Sequence, residues 1–410
     1  MGSEPVSGMV VLKRLIIAAV WLGASVIAAK LAVHHMVTMP SGKHWNDSYI
    51  YLGAASNFID HPSHLYDAAH LQVVRSWAQR AFVHPPSGLL PYLPFVPLVR
   101  IAGMPVAASV WTVIDTVALL GGVVVFGRRV GLGWLTLGAA ALVVSLSAPA
   151  QWEIDSGQIN GLVLLLLALS LLRMPKADAG VLMGLALAIK PVSAIVLLVP
   201  LLRGRAGVTV VAVLTLAVLN AAFIPLIGLG AALFYAGSVL PFFASYTLHN
   251  PGNIALPNVL QRWLGGGLLP AHRLFRVSVP QTLDALILLW GVRIAVALLW
   301  IRSSIDRKLD VAVAVAVAMA TVPILSSTIW PHYLIYLLPL ALVTLASSLL
   351  WVRAGGALAL IAMLWPGRGD GLWVAVALLW VSAAVLLVNE FGWIAPLRAR
   401  DSQPRLRPGT

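Results

Sequence analysis

Residues 46–67 read NDSYIYLGAASNFIDHPSHLYD and carry three of the chain's fourteen acidic residues, Asp47, Asp60 and Asp67. A carboxylate held at hydrogen-bond distance from a hydroxyl can take its proton, so Asp47, just past the first apolar segment, is a candidate base. Asp is also a favoured N-cap, and a helix starting near Ser48 would use it that way. Asp60 and Asp67, beside DHP and a serine, read as turn residues. Candidate cations lie elsewhere in the chain. Lys190 sits inside an apolar stretch, where a charge is costly and marks either function or a side chain that snorkels to the interface. His332, in WPHY, is either a polar ligand or part of an aromatic belt with Trp330 and Tyr333. His84 precedes a proline pair, and Arg262, Arg273 and Arg276 occupy a later polar loop. Gln158 and Asn160, in GQIN, open a hydrophobic helix; they either bind a ligand there, where unpaired N–H groups favour anions, or cap and pack. Asn250, Asn253 and Asn258 belong to the stretch NPGNIALPNVLQR.

What must position these residues is overwhelmingly apolar. The chain of 410 residues is 60% apolar and 10% charged, with a mean hydropathy of +0.93, whereas soluble domains are roughly 25% charged. Long apolar runs such as 162–172, 208–226 and 311–325 recur to the C-terminus, and a bilayer admits such runs as helices. The composition therefore implies an all-α, polytopic membrane protein. The run 15–37, after Lys13 and Arg14, is too long for a removable signal peptide and reads as a first transmembrane helix. With no cysteine, disulfides and Cys-based metal sites are excluded. No DxD motif stands out, and neither a metal nor a cofactor is expected. The net charge of +13 suggests nucleic acid at first sight. The cations, however, cluster at the ends of apolar runs, so they report topology and anionic lipid headgroups, and no nucleic-acid partner is expected.

Taking Arg128-Arg129, 173–176, 203–205, 302–308, Arg353 and the tail from Arg398 as cytoplasmic gives crossings near 15–37, 105–126, 133–150, 159–172, 206–225, 282–301, 310–329, 333–350, 355–366 and 371–389. Segments 86–101, dense in proline, and 179–202, broken at Lys190-Pro191, fit half-length or re-entrant pieces, which puts the count at ten to twelve. The chain is then one membrane domain over 1–410, with external loops at 38–87 and 246–281 and a cytoplasmic tail at 390–410. The run VAVAVAVAMA reads as lipid-facing or packing surface. In this drawing Asp47, Asp60, Asp67, His84, Glu153, Asp155, Gln158, Asn160, His249, the loop asparagines and His332 share the external face. A polar face on an apolar scaffold is how membrane enzymes and transporters alike build a site. Asp115, about mid-span, is the feature that favours a transporter.

The ordered motifs carry a resemblance. Asp47-Ser48-Tyr49-Ile50-Tyr51, Asp60-His61-Pro62 to Leu65-Tyr66, His84-Pro85-Pro86, Gly157-Gln158-Ile159-Asn160, Ile189-Lys190-Pro191 and Trp330-Pro331-His332-Tyr333 together resemble the GT-C glycosyltransferases of family 87. Where this chain has His84, the family commonly has tyrosine. The resemblance implies a GT-C-type membrane fold, a cell-membrane location with an external site, and a polyprenyl-phosphate-sugar donor. The acceptor it implies is a mannosylated envelope glycolipid or lipoglycan. It also implies inverting transfer, which needs one base and no paired carboxylates. Asp47 takes the role of base; His332, Lys190, His84 and Arg262 are placed at the donor phosphate; Gln158, Asn160, Tyr51 and Asn253 are placed at the sugar or acceptor. The first loop resembles α-1,2-mannosyltransferases that extend phosphatidylinositol mannosides, which points to mannose. An arabinofuranosyltransferase using decaprenyl-phosphate-arabinose would share the scaffold. A transporter or flippase of lipid-linked sugars is the alternative of another class.

Overall fold

An apolar run that cannot hydrogen-bond to water must close its own backbone bonds, and this chain does so almost entirely as helix. A computed structural model describes residues 6–38, 47–66, 82, 84–241, 246–249, 252–264, 273–276, 282–326, 328–365 and 371–390. Asp67, Asn250 and the tail beyond Glu390 lie outside the described residues, as do the side chains of His249, Arg273 and Arg276. Among the described residues, five helices are long and apolar enough to cross a membrane: Val10–Lys30, Met104–Arg129, Ala206–Ile227, Leu283–Ile305 and Leu372–Glu390. Trp134–Leu146 and Ala148–Ser156 make a sixth span if taken together, bent by 59°. The break falls at Ser147, whose extended backbone ends one helix and whose hydroxyl accepts from Ala150 N to start the next. The chain is thus a polytopic, essentially all-α membrane protein. Its one departure from helix among the described residues is a short antiparallel ribbon, Tyr246–His249 against Arg273–Arg276.

The crossings expected at 159–172, 310–329, 333–350 and 355–366 are shorter helices: Asn160–Arg173, Val311–Leu325, Pro331–Ala346 and Leu350–Ala362. Fourteen residues of α-helix reach only about 21 Å, less than a hydrocarbon core of about 30 Å. Three of the four are largely covered by protein, whereas Leu350–Ala362 leaves Leu350, Trp351, Leu358 and Ile361 exposed. Val311–Leu325 is buried along almost its whole length, so VAVAVAVAMA is a packing surface. It sits against Leu283–Ile305 on one side and Pro331–Ala346 on the other. Small residues allow this close approach, since alanine on alternate positions offers little bulk.

The two segments expected to be half-length are so. Residues 86–102 form two 3-10 turns and the seven-residue helix Val96–Ala102. Asp178–Ile189 rises as a helix, stops at Lys190-Pro191, and continues as Pro191–Leu197 and Leu198–Leu202. Gly180 abuts Val208 and Val211, while Gly184 abuts Ala212 and Thr215. Matching order along both helices means that Asp178–Ile189 and Ala206–Ala221 run parallel. The chain between them must therefore return to its starting level, and Lys190 is at the tip of a hairpin. The basic clusters meet at the hairpin's base. Arg129 donates to Asp310 at 3.0 Å, and Arg203 donates to the carbonyls of Ser303, Ser304, Asp306 and Leu309 at 2.8–3.3 Å.

Candidate active site

Four separate elements bring one polar cluster together inside the bundle. Asp47 is the first residue of the helix Asp47–Asp60. Gln158 stands in the reversal between Ala148–Ser156 and Asn160–Arg173. Gly157 makes that reversal possible, because its φ of 59° and ψ of 42° lie in the left-handed region that favours glycine. Lys190 comes from the hairpin tip, and Tyr333 from the 3-10 turn Pro331–Leu337 that follows Trp330.

The side chain of Gln158 spans the cluster. Its amide nitrogen donates to Asp47 Oδ2, and its amide oxygen accepts from Lys190 Nζ at 2.9 Å. The Lys190 ammonium also lies 4.5 Å from the centroid of the Tyr333 ring, and it is 2% exposed. Snorkelling is therefore not its role. The topology enters this hairpin from the basic end, yet a twelve-residue helix carries the tip about 18 Å inward, to where Gln158 waits. His332 is buried, with its ring 4.6 Å from that of Tyr333 and tilted 36° to it, so it joins the Lys190 side of the cluster.

On the Asp47 side, Tyr51 lies one helical turn along from Asp47. His84 Nε2 and the Tyr51 hydroxyl are 3.1 Å apart, and Tyr66 donates to the His84 carbonyl. Burial, and then the nearby Lys190 charge, push the His84 imidazole down to about 3. Near neutral pH His84 therefore offers a hydrogen bond rather than a charge, unlike the cation expected at a phosphate.

Helix Asn160–Arg173 does not present an open anion site. Asn160 donates to Glu153 from its backbone N at 2.6 Å and from Nδ2 at 2.7 Å, and Leu162 N donates to Asp115 Oδ1 at 2.9 Å. Two of the chain's own carboxylates thus occupy the terminus where a donor phosphate was one expectation. Asn160 also accepts from the Tyr336 hydroxyl at 2.9 Å, which is the capping and packing alternative for this residue. Gly161 fits because a Cβ there would meet Asp115, 2.8 Å from Oδ2. Asp115, the residue that favoured a transporter, is buried in this cap. Asn253 and Arg262 form another cluster. Asn253 Oδ1 accepts from Ile329 N at 2.9 Å and Ala255 N at 3.1 Å, and Arg262 donates to the Asn253 carbonyl at 3.3 Å. They tie the loop at 252–256 to the strand of chain that leads into WPHY. Asp60 pairs with Arg100 at the surface, 2.5 Å apart.

Sequence reasoning missed Tyr92, Trp111, Tyr333 and Tyr336 as members of the site. Their common signal is an aromatic placed next to a motif residue in space. Tyr333 and Tyr336, in the turn that carries His332, were also near in sequence.

A buried cluster that joins a carboxylate and an ammonium through one amide makes a polar site inside a polytopic membrane protein. Residues 82–328, more than half of the chain, match the model of glycosyltransferase family 87, and the chain belongs to that family. No curated protein and no solved structure matches it.

Proposed function

We propose that this glycosyltransferase moves mannose, with inversion, from polyprenyl-phosphate-mannose to a mannosylated envelope glycolipid or lipoglycan, by an α-1,2 linkage. The observation that carries the reading is the line Asp47, Gln158, Lys190, with one amide spacing a carboxylate from a cation. In-line displacement at an anomeric carbon needs such an arrangement, with a base behind the attacking hydroxyl and positive charge at the departing phosphate.

In the proposed reaction Asp47 takes the proton of the acceptor hydroxyl as its oxygen attacks the anomeric carbon. The bond from that carbon to the phosphate oxygen breaks, and its electron pair leaves with the polyprenyl phosphate. Lys190 meets the developing charge, with His332 beside it. Gln158 orients Asp47 by donating to one carboxylate oxygen and holds the ammonium through its own oxygen. Tyr51, with neutral His84 behind it, offers a hydroxyl to the sugar or acceptor. Neither paired carboxylates nor a covalent glycosyl intermediate is needed. The site is assigned to the external face, where a polyprenyl-linked donor and a glycolipid acceptor both present their headgroups.

The test is transfer of radiolabelled mannose from polyprenyl-phosphate-mannose to a membrane glycolipid extract. Purified wild type is compared with Asp47→Asn, which is nearly isosteric and removes only the base. A loss of about 100- to 10,000-fold in the variant is expected. Transfer from decaprenyl-phosphate-arabinose alone would keep the family and change the sugar. Movement of lipid-linked sugar across liposomes without a new glycosidic bond would replace the enzyme by a transporter.

A further inference from the structure

Tyr92 is 1% exposed, and its hydroxyl has no hydrogen-bond partner among the described residues. Its ring is fixed on both sides, 5.0 Å from Tyr51 and 4.4 Å from Trp111 by ring centroids. Trp111 in turn donates its indole N–H to the carbonyl of Gln158 at 3.1 Å. Tyr92 is therefore a wedge between the Tyr51 side of the site and the turn that carries Gln158.

A buried hydroxyl left without a partner costs about 1–3 kcal/mol relative to one that is satisfied. Phenylalanine would fill the same slot between Tyr51 and Trp111 with no such cost. The folded state alone thus gives no reason for the hydroxyl, although its ring packs against Tyr51, whose own hydroxyl the proposed reaction gives to the sugar or acceptor. We infer that Tyr92 is a specificity-determining residue whose hydroxyl donates to one hydroxyl of a bound sugar beside Asp47. The inference rests on the glycosyl-transfer reading and adds a residue to it.

The experiment pairs Tyr92→Phe with a panel of donors and acceptors that each lack one sugar hydroxyl, measuring kcat/KM together with thermal unfolding of each protein. The variant is expected to unfold at the wild-type temperature or slightly higher, because an unmade hydrogen bond has been removed. Its kcat/KM on the complete sugars should fall about 10- to 100-fold. On one deoxy analogue the two proteins should become equal, because the partner of the hydroxyl is then missing from both sides of the comparison. Equal activity of variant and wild type on the complete sugars would overturn the inference. So would the same loss on every analogue, which is the signature of packing or of a trapped water. If wild type transfers nothing from any polyprenyl-linked sugar, the functional reading fails. The unfolding temperature then decides on Tyr92, because a variant less stable than wild type would mean that the hydroxyl is bonded within the protein.

Discussion

Replacing Gln158 tests the central line of the site, because two substitutions there separate charge from hydrogen bonding. In Gln158→Glu, the new carboxylate faces Lys190, where the present contact is 2.9 Å. At that distance and an effective dielectric of about 20, Coulomb attraction is about 6 kcal/mol. The same carboxylate faces Asp47 at ordinary hydrogen-bond distance, where the repulsion is again about 6 kcal/mol. The two nearly cancel, which leaves the lost donor to Asp47, so the variant should be less stable than wild type by only about 1.5–3 kcal/mol. Its activity should still fall at least about 100-fold, because Lys190 now faces a carboxylate instead of the departing phosphate and Asp47 has lost its donor. Gln158→Leu has no such compensation. It removes two hydrogen bonds to charged groups, each worth about 1.5–3 kcal/mol, and leaves buried charges less well partnered. That variant should be both inactive and less stable, by about 3–6 kcal/mol. Thermal unfolding in detergent and radiolabel transfer, run on both proteins, make the comparison. Transfer at wild-type rate by Gln158→Leu would rule out this role for Gln158, as would Gln158→Glu unfolding together with Gln158→Leu.

Two further predictions follow from groups away from that line. Arg203 donates to four carbonyls at the junction of Leu283–Ile305 and Val311–Leu325, so Arg203→Ala should lower stability by at least about 3 kcal/mol. Arg203→Lys, with fewer donors and no planar fork, should fall between the two in the same unfolding measurement. His84 gives a pH dependence: its folded value is about 3, against about 6.5 in an unfolded chain. Between those values the unfolded chain binds a proton that the folded protein excludes. The stabilisation is therefore complete above about pH 6.5 and is lost as pH falls toward 3. Unfolding of His84→Gln followed from pH 7 to pH 4 should show a flatter slope than wild type, and an unchanged slope would remove His84 as its source.

The fold class and the family were legible in the sequence alone. An apolar excess this large permits little but membrane helices, and the basic clusters at 128–129, 203–205 and 302–308 correctly marked ends that meet. The motifs also pointed to the family, because their order along the chain carries information that no single motif holds. Local signals placed Asp47 at a helix start, since capping depends on neighbouring residues. Tertiary structure decided which reading of each polar residue applied. Lys190 could snorkel or be buried, and only the return of the hairpin put its ammonium against Gln158. Gln158 and Asn160, two residues apart, took different parts: one spans Asp47 and Lys190, the other is held by Glu153 and Tyr336. Asp115 read as a pathway residue, and the folded chain has it accepting from Leu162 N at the start of Asn160–Arg173. Each of these choices depends on which side chains arrive from distant segments. The cost of a buried charge or amide is set by those partners, and sequence spacing does not encode them.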